Sequence, residues 1–399
     1  MFLLEGGRVV TPDGVLDPGW LRIAGKMIDA VGSGPAPGQP AADLGGQWVL
    51  PGFIDIHVHG GGGTSFTEGT GDQARHAAAF HRGQGSTTML ASLVTAPLPE
   101  LEDRAGALAG LADEGVLAGL HLEGPFLSPA RRGAQDPRYM IAPDVAVFER
   151  LNAAARGHLR VLTLAPELPG ALAVIRAATR AGVRVAVGHT DATAEVTMAA
   201  IDAGATHATH LFNGMRPLHH REPGAVGALL DRHEVTCEVI ADGVHLDDIT
   251  VRLTARAAGP GRLVLVSDAM AAAGMPDGNY QLGSQQVIVA GGVARLFEGL
   301  RDSGLADPAG GGGGAIAGST ATLADVVRHA IAAGLPVPVA AAAASTTPAC
   351  VLGLGGRTGA LSPGLAADLV VCDDSFRPRA VMRHGEWLTQ PVSRPPGRR

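Results

Sequence analysis

The sequence predicts an α/β protein: a distorted (β/α)8 TIM barrel with a second, small β-sandwich domain formed by both chain termini. Three observations predict it. Continuous apolar, strand-like runs alternate with Ala-rich helical stretches through the middle of the chain, the pattern of a parallel sheet covered on both faces. Ionisable residues follow those runs at their C-terminal ends, and a closed barrel gathers such ends on one rim. An open doubly wound sheet would spread them along a line. Finally, both ends of the chain share a texture of short β-type runs punctuated by Gly, Pro and Asp.

The strand candidates in the middle of the chain are residues 49–57, 87–93, 117–122, 160–164, 184–187, 207–210, 235–240 and 263–266. Helical stretches include 144–156, 171–181, 192–203 and 323–333. The terminal β-type runs are 7–10, 20–23 and 369–372. A chain of 399 residues suits one large domain plus a minor one. We therefore expect residues 51–355 to form the barrel, and 1–50 with 356–399 to form the small domain. No internal repeat of fixed period is visible. The glycine run at 310–314 reads as a low-complexity, flexible loop.

Composition excludes several function classes. Hydrophobic residues make up 46% and charged residues only 17%, so a large core can be buried and disorder is excluded. A net charge of −7 gives no basic stripe for nucleic acid, so an anionic ligand must be held by a few local donors. Cys237, Cys350 and Cys372 are too widely spaced for a disulfide framework or a CxxC site, which favours a reducing compartment. The N-terminal MFLLEGGRVV lacks a signal-peptide pattern. The apolar stretch 330–344 is broken by Pro336 and Pro338 and is a poor membrane span. A cytoplasmic location is the expectation.

The chemistry-bearing residues lie at the predicted strand ends. His57 and His59 close the first run, and alternate residues of a strand point the same way, so both rings can grip one cation. Alone, His-x-His is a weak signal, equally compatible with two rim histidines. Glu123 ends another strand before a Gly-Pro turn, and a carboxylate can bridge two ions. His189 and His210 end two further strands. Singly, each could be a satisfied structural histidine, but their shared placement points to a metal site. Imidazole and carboxylate together suit Zn²⁺, with Fe²⁺ as a second choice. The only lysine, Lys26, lies in the terminal segment, so a carboxylated-lysine bridge is not available and Glu123 must take that role if two ions bind. His207 fits a supporting position, while His219 and His220 fit a solvated loop.

Asp268 leaves the strand at 263–266 and can accept a proton from a metal-activated water, then pass it to a departing amine. Its competing role is a helix N-cap, which the following Gly274 and Pro276 disfavour. The sequence contains no GxSxG elbow and no Walker loop.

Taken together, PGFIDIHVHG at 51–60, HLEGPF at 121–126, GHT at 188–190, THATHLFNGM at 206–215, REPG at 221–224, ADGVH at 241–245 and SDA at 267–269 resemble the N-acetylglucosamine-6-phosphate deacetylases of the amidohydrolase superfamily. The run PGLAADLVV at 363–371 is similar to the closing β-domain motif of the wider superfamily.

The resemblance implies His57, His59, Glu123, His189 and His210 as ligands of one or two divalent cations, and Asp268 as the catalytic acid/base. It implies a phosphorylated amino sugar as the small-molecule partner, bound through Asn213, Arg221 and His245. Backbone near Ala134, Gly214 and Ala315, Ile316 and Ala317 would line the sugar. It also implies a homodimer in which Arg221 reaches the neighbouring subunit's site. Gln135 stands where the family often has a His near the substrate carbonyl, and Gly214 where Ala is more usual. Rival readings are deacetylation of N-acetylgalactosamine 6-phosphate, hydrolysis of a cyclic amide, or a non-catalytic binding relative. The last would be marked by loss of a ligand or of the acid, and neither is lost.

Overall fold

The computed structural model describes residues 2–297 and 314–390, so most of the glycine run, 310–313, and the C-terminal tail from 391 lie outside the described residues. Eight parallel strands form the central sheet: β1 Phe53–Asp55, β2 Ser86–Val94, β3 Gly119–Glu123, β4 Leu159–Leu164, β5 Arg184–Val187, β6 Ala205–Ala208, β7 Thr236–Val239 and β8 Leu263–Leu265. They pair in sequence order. The ring closes just beyond the last strand. There the Ser267 amide donates to Asp55 Oδ1 at 3.2 Å and the Asp268 amide donates to the His57 carbonyl at 2.9 Å. Val58 and Ala269 add a parallel bridge at the same seam.

The strands are short apolar runs because both faces are covered. Leu120 and Leu122 of β3, Leu162 and Leu164 of β4, and Val185 and Val187 of β5 share one core with the helices outside them. Helix α1 Gly71–Gly83 starts at a Thr70/Gln73 capping box, and α2 Leu98–Asp113 follows β2. Helix α3 Val145–Ala154 is N-capped by Asp144, which accepts the Ala146 and Val147 amides. In α4 Ala171–Arg180 the buried positions are Ala171, Val174, Ile175, Ala177 and Ala178, the spacing of one helix face turned to the sheet. The layer continues with α5 Ala194–Asp202, α6 Gly224–Asp231, α7 Asp248–Ala258, α8 Leu323–Ala332, α9 Val337–Ala344 and α10 Thr346–Val351. No helix among the described residues is long and apolar enough to cross a membrane.

Residues 49–57, expected as one strand, divide at Gly52. Trp48–Pro51 joins the terminal sheet and Phe53–Asp55 starts the barrel. Pro51 cannot donate to a ladder, and a Cβ on Gly52 would lie 2.4 Å from Thr87 Oγ1. The chain therefore changes sheets at a residue that only glycine can occupy. A three-stranded antiparallel sheet, Gly278–Leu282, Gln285–Ala290 and Val293–Leu296, was not anticipated by the sequence reading. It packs Leu282, Val287 and Val289 against Met270 and Ala317 at the barrel mouth.

The termini pair in one sheet, in the order Glu386–Thr389, Pro378–Arg383, Leu369–Cys372, Trp48–Pro51, Phe2–Thr11, Gly14–Ala24 and Met27–Ser33, with Ala42–Asp43 beside Phe2–Thr11. The sheet folds over a single core to which Leu21, Ile23 and Ile28 contribute from one end and Leu369, Ala380 and Met382 from the other. The Ile28 amide reaches the Leu365 carbonyl at 2.8 Å, and the Gly385 amide reaches Ala367 at 3.0 Å. Asp368 locks this junction. Buried, it accepts the Thr358 hydroxyl at 2.8 Å and the His384 amide at 2.7 Å.

Removing the acceptor leaves both donors unsatisfied. We expect Asp368→Ala to cost about 1–3 kcal/mol, read as a lower midpoint in chemical denaturation.

Candidate metal centre

The side chains that follow β1, β3, β5, β6 and β8 converge at one end of the barrel. Glu123 is the last residue of β3 and is 3% exposed. Its Oε1 lies 3.0 Å from His189 Nε2, 2.9 Å from His210 Nε2 and 3.6 Å from His57 Nε2. Its Oε2 lies 3.3 Å from His59 Nε2. The imidazole nitrogens also approach one another, His57 to His59 at 3.1 Å and His189 to His210 at 3.2 Å. Asp268 Oδ1 faces the first pair, 3.4 Å from His57 and 3.2 Å from His59. Two sets of donor atoms capable of holding an ion result, His57–His59–Glu123 and Glu123–His189–His210, with Glu123 common to both.

The backbone is bent to make this possible. His189, His210 and Asp268 have φ of 45°, 26° and 49°, a region that costs non-glycine residues of order 1–3 kcal/mol each. Each is held there by its surroundings. The His210 amide donates to Glu238 Oε2 at 3.1 Å. Asp268 is gripped on both sides, by the His57 carbonyl and by the Ser319 amide at 2.8 Å. Gly188, before His189, has no room for a side chain, since a Cβ would meet Thr209 at 2.7 Å.

Partners behind the rings fix their tautomers. Carbonyl and carboxylate oxygens only accept, so the ring nitrogens facing them must carry hydrogen. His189 Nδ1–H donates to the Arg131 carbonyl at 2.9 Å and His210 Nδ1–H to the Asn213 carbonyl at 3.1 Å. His57 Nδ1–H donates to Glu238 Oε2 at 2.9 Å. In the neutral ring the Nε2 lone pair then points into the centre, as a cation ligand requires. His59 Nδ1 is buried without a hydrogen-bond partner.

Charge is concentrated accordingly. Burial favours the neutral acid in Glu123, but His57, His189 and His210 outweigh it and hold the carboxyl well below its usual range. In Asp268 burial likewise opposes ionisation, and His57 and His59 overcome it. Burial also disfavours a charged His59, yet its hydrogen bonds to Asp268 and Glu123 lift it to about 9. Two carboxylates among four imidazoles thus attract positive charge, and a divalent cation suits that field and the nitrogen-and-oxygen donor set.

Other residues singled out in the sequence fall around this centre. Gln135 donates to Glu123 Oε2 at 2.7 Å. Ala134 packs beside the three-stranded sheet. Asn213 and Gly214 lie behind the histidines. Asn213 Nδ2 reaches the His210 carbonyl at 3.3 Å, and a Cβ on Gly214, φ 59°, would sit 2.9 Å from His189 Nδ1. His245 is clamped by Asp242, whose Oδ2 accepts its Nδ1–H at 2.8 Å and also the Ser319 hydroxyl at 2.8 Å. Burial opposes charge on His245, but Asp242 and Asp268 raise its pKa. Ala315, Ile316 and Ala317 extend the three-stranded sheet, with Ala317 donating to the Ala294 carbonyl at 3.0 Å, and lead into Ser319. Arg221 is different: it stands in an exposed loop, 217–223, and bonds its neighbour His220 at 2.7 Å.

Glu238 escaped the sequence reading. Fully buried on β7, it holds His57, the His210 amide and, at 2.8 Å, His207 Nε2. Its one sequence signal is a carboxylate inside the largely apolar run 235–240. His207 takes the supporting position expected of it. Glu238→Gln turns one acceptor into a donor facing N–H groups. We expect cation affinity to fall about 10–100-fold, measured by calorimetric titration of the metal-free chain against a competing chelator.

The model of the amidohydrolase family matches residues 48–388. The chain is 36% identical to the N-acetylgalactosamine-6-phosphate deacetylase of Escherichia coli O157:H7, over 96% of this chain and 98% of that protein. It is 38% identical to the N-acetylglucosamine-6-phosphate deacetylase of Bos taurus, over 87% of this chain and 85% of that protein. Among solved structures, a mutant of the Mycobacterium smegmatis N-acetyl-D-glucosamine-6-phosphate deacetylase, in complex with N-acetyl-D-glucosamine-6-phosphate, superposes with a TM-score of 0.91 at 45% identity, covering 98% of this chain and 99% of that one. With its barrel, its shared Glu123 carboxylate and these relatives, the chain belongs to the amidohydrolase family and, within it, to the N-acetylglucosamine-6-phosphate deacetylases.

Proposed function

We propose that this hydrolytic enzyme removes acetate from N-acetyl-D-glucosamine 6-phosphate, giving D-glucosamine 6-phosphate in amino-sugar breakdown. The observation that carries the reading is Asp268 Oδ1 at 3.2–3.4 Å from His59 and His57, beside a carboxylate bracketed by four imidazoles. A divalent cation, Zn²⁺ by preference and Fe²⁺ as second choice, would be held by Glu123, His189 and His210, with a second at His57, His59 and Glu123. When bound it supplies Lewis acidity to the amide oxygen and brings the pKa of water from 15.7 toward about 7.

The chain's own residues do the rest. Asp268 is ionised, so it can take the proton of the attacking water. It then delivers that proton to the sugar nitrogen as the C–N bond breaks and acetate leaves. His245, whose pKa is lowered by burial but raised overall by Asp242, would in its protonated form present Nε2–H to a phosphate or hydroxyl oxygen, while Asn213 and the main chain at 134, 214 and 315–317 border the sugar. Arg221 supplies a forked cation suited to phosphate.

Because Arg221 stands in an exposed loop of its own subunit, we assign it to the site of a partner in a homodimer. The half-exposed Leu218 of that loop, and Ile249 and Leu253 one turn apart on α7, offer apolar surface for such a contact. N-acetylgalactosamine 6-phosphate is the second reading, favoured by the Escherichia coli relative. We also place the reaction in the cytoplasm, in keeping with unpaired Cys237, Cys350 and Cys372, and assign catalysis to residues 51–355, with 1–50 and 356–399 as the accessory unit.

Four outcomes check this reading. Acetate release from N-acetylglucosamine 6-phosphate should disappear with chelator, return with Zn²⁺, and exceed release from the galacto epimer; the reverse preference supports the second reading. Asp268→Asn should lower kcat about 10²–10⁴-fold while the metal content of the protein is kept; near-normal turnover would sink the acid/base role. Arg221→Ala should raise KM about tenfold or more, the worth of one charged hydrogen bond. Mixing Asp268→Asn with Arg221→Ala subunits should restore turnover at the wild-type KM, because the mixed dimer contains one complete site.

A further inference from the structure

Gln135 is held by groups of the site itself. Its side chain is 5% exposed and both ends are engaged. Oε1 accepts the Thr95 amide at 2.8 Å, and Nε2 donates to Glu123 Oε2 at 2.7 Å. The Thr95 N–H can only donate, so the orientation of the amide is fixed. The loop beneath it is tied down as well. The Gln135 amide reaches the Arg132 carbonyl at 3.0 Å, and the next residue, Asp136, accepts the Arg138 amide at 3.0 Å and the Ser284 hydroxyl at 2.5 Å.

The terminal torsion of a glutamate is broad, so its oxygens point where partners direct them. In Glu123 the two oxygens have unequal support. Oε1 is set by His189 and His210, at 3.0 and 2.9 Å. Oε2 has His59 at 3.3 Å and the hydrogen bond from Gln135. A carboxylate oxygen can accept that bond and still offer a second lone pair.

From this we infer, resting on the two-cation reading above, that Gln135 is a positioning residue for the first-strand cation. By clamping Oε2 toward His59, the partner of His57 in the first-strand pair, it makes Glu123 a bridge, and it leaves the Glu123–His189–His210 site almost untouched. A neutral amide does this without adding charge.

The test is a calorimetric titration of the metal-free, full-length chain with Zn²⁺ against a competing chelator. Wild type should take up two equivalents. Gln135→Leu should keep the tighter one unchanged and bind the other about tenfold or more weakly, the usual effect of losing a partner behind a ligand. Gln135→His, which still offers an N–H, should recover the second equivalent. If Gln135→Leu misfolds, as its apo melting curve would reveal, Gln135→Asn shortens the reach and should give the same order of losses. Equal weakening of both equivalents, or no weakening, overturns the role of Gln135. A wild-type chain that takes up one equivalent overturns the two-cation reading itself, and does so before any substitution is made.

Discussion

The Glu123 carboxylate organises this molecule. Moving an ion of that kind out of water costs several kcal/mol even after the protein relaxes, and at 3% exposure it receives little help from solvent. It is tolerated because imidazoles from three other strand ends meet it within 2.9–3.6 Å. Nitrogen lone pairs that face one another at 3.1–3.2 Å and a carboxylate beside them need positive charge in their midst. The carboxylate and the histidines therefore justify each other, and a cation completes the same balance.

Much of the surrounding structure serves to keep those groups in place. Glu238 orients His57 from behind and pins the main chain of His210. The left-handed turns at His189, His210 and Asp268 aim side chains that an extended strand would point past the centre. The seam that closes the barrel uses the backbone of His57 and Asp268, so the last act of closing the sheet also sets the acid beside the rings. Stability and chemistry share the same hydrogen bonds there.

Farther out, the three-stranded sheet reaches the centre by two routes. Ser284 grips Asp136, next to Gln135, and the segment 315–317 runs into Ser319, which supports both Asp268 and Asp242. The segment 315–317, which we propose borders the sugar, thus rests on a different element from the residues that hold charge. His245 is linked to both, through Asp242 on one side and the field of Asp268 on the other.

Sequence alone determined the barrel and its approximate strands, and it singled out the five expected ligands with Asp268, because each lies just after an apolar run and a closed barrel gathers such ends on one rim. It also determined that the termini pair, through the β-type runs at 7–10, 20–23 and 369–372. Tertiary structure decided what local pattern does not encode. It divided 49–57 at Gly52, because the obstacle there is Thr87, thirty-five positions away. It revealed Glu238 as the support of His57, since one acid in an apolar run has no visible partner until a residue 181 positions distant arrives. It turned Gln135 toward Glu123 and left Arg221 in solvent, because where a loop side chain points depends on what the fold brings near it. Periodicity records which face a residue occupies; only folding determines what waits on the other side.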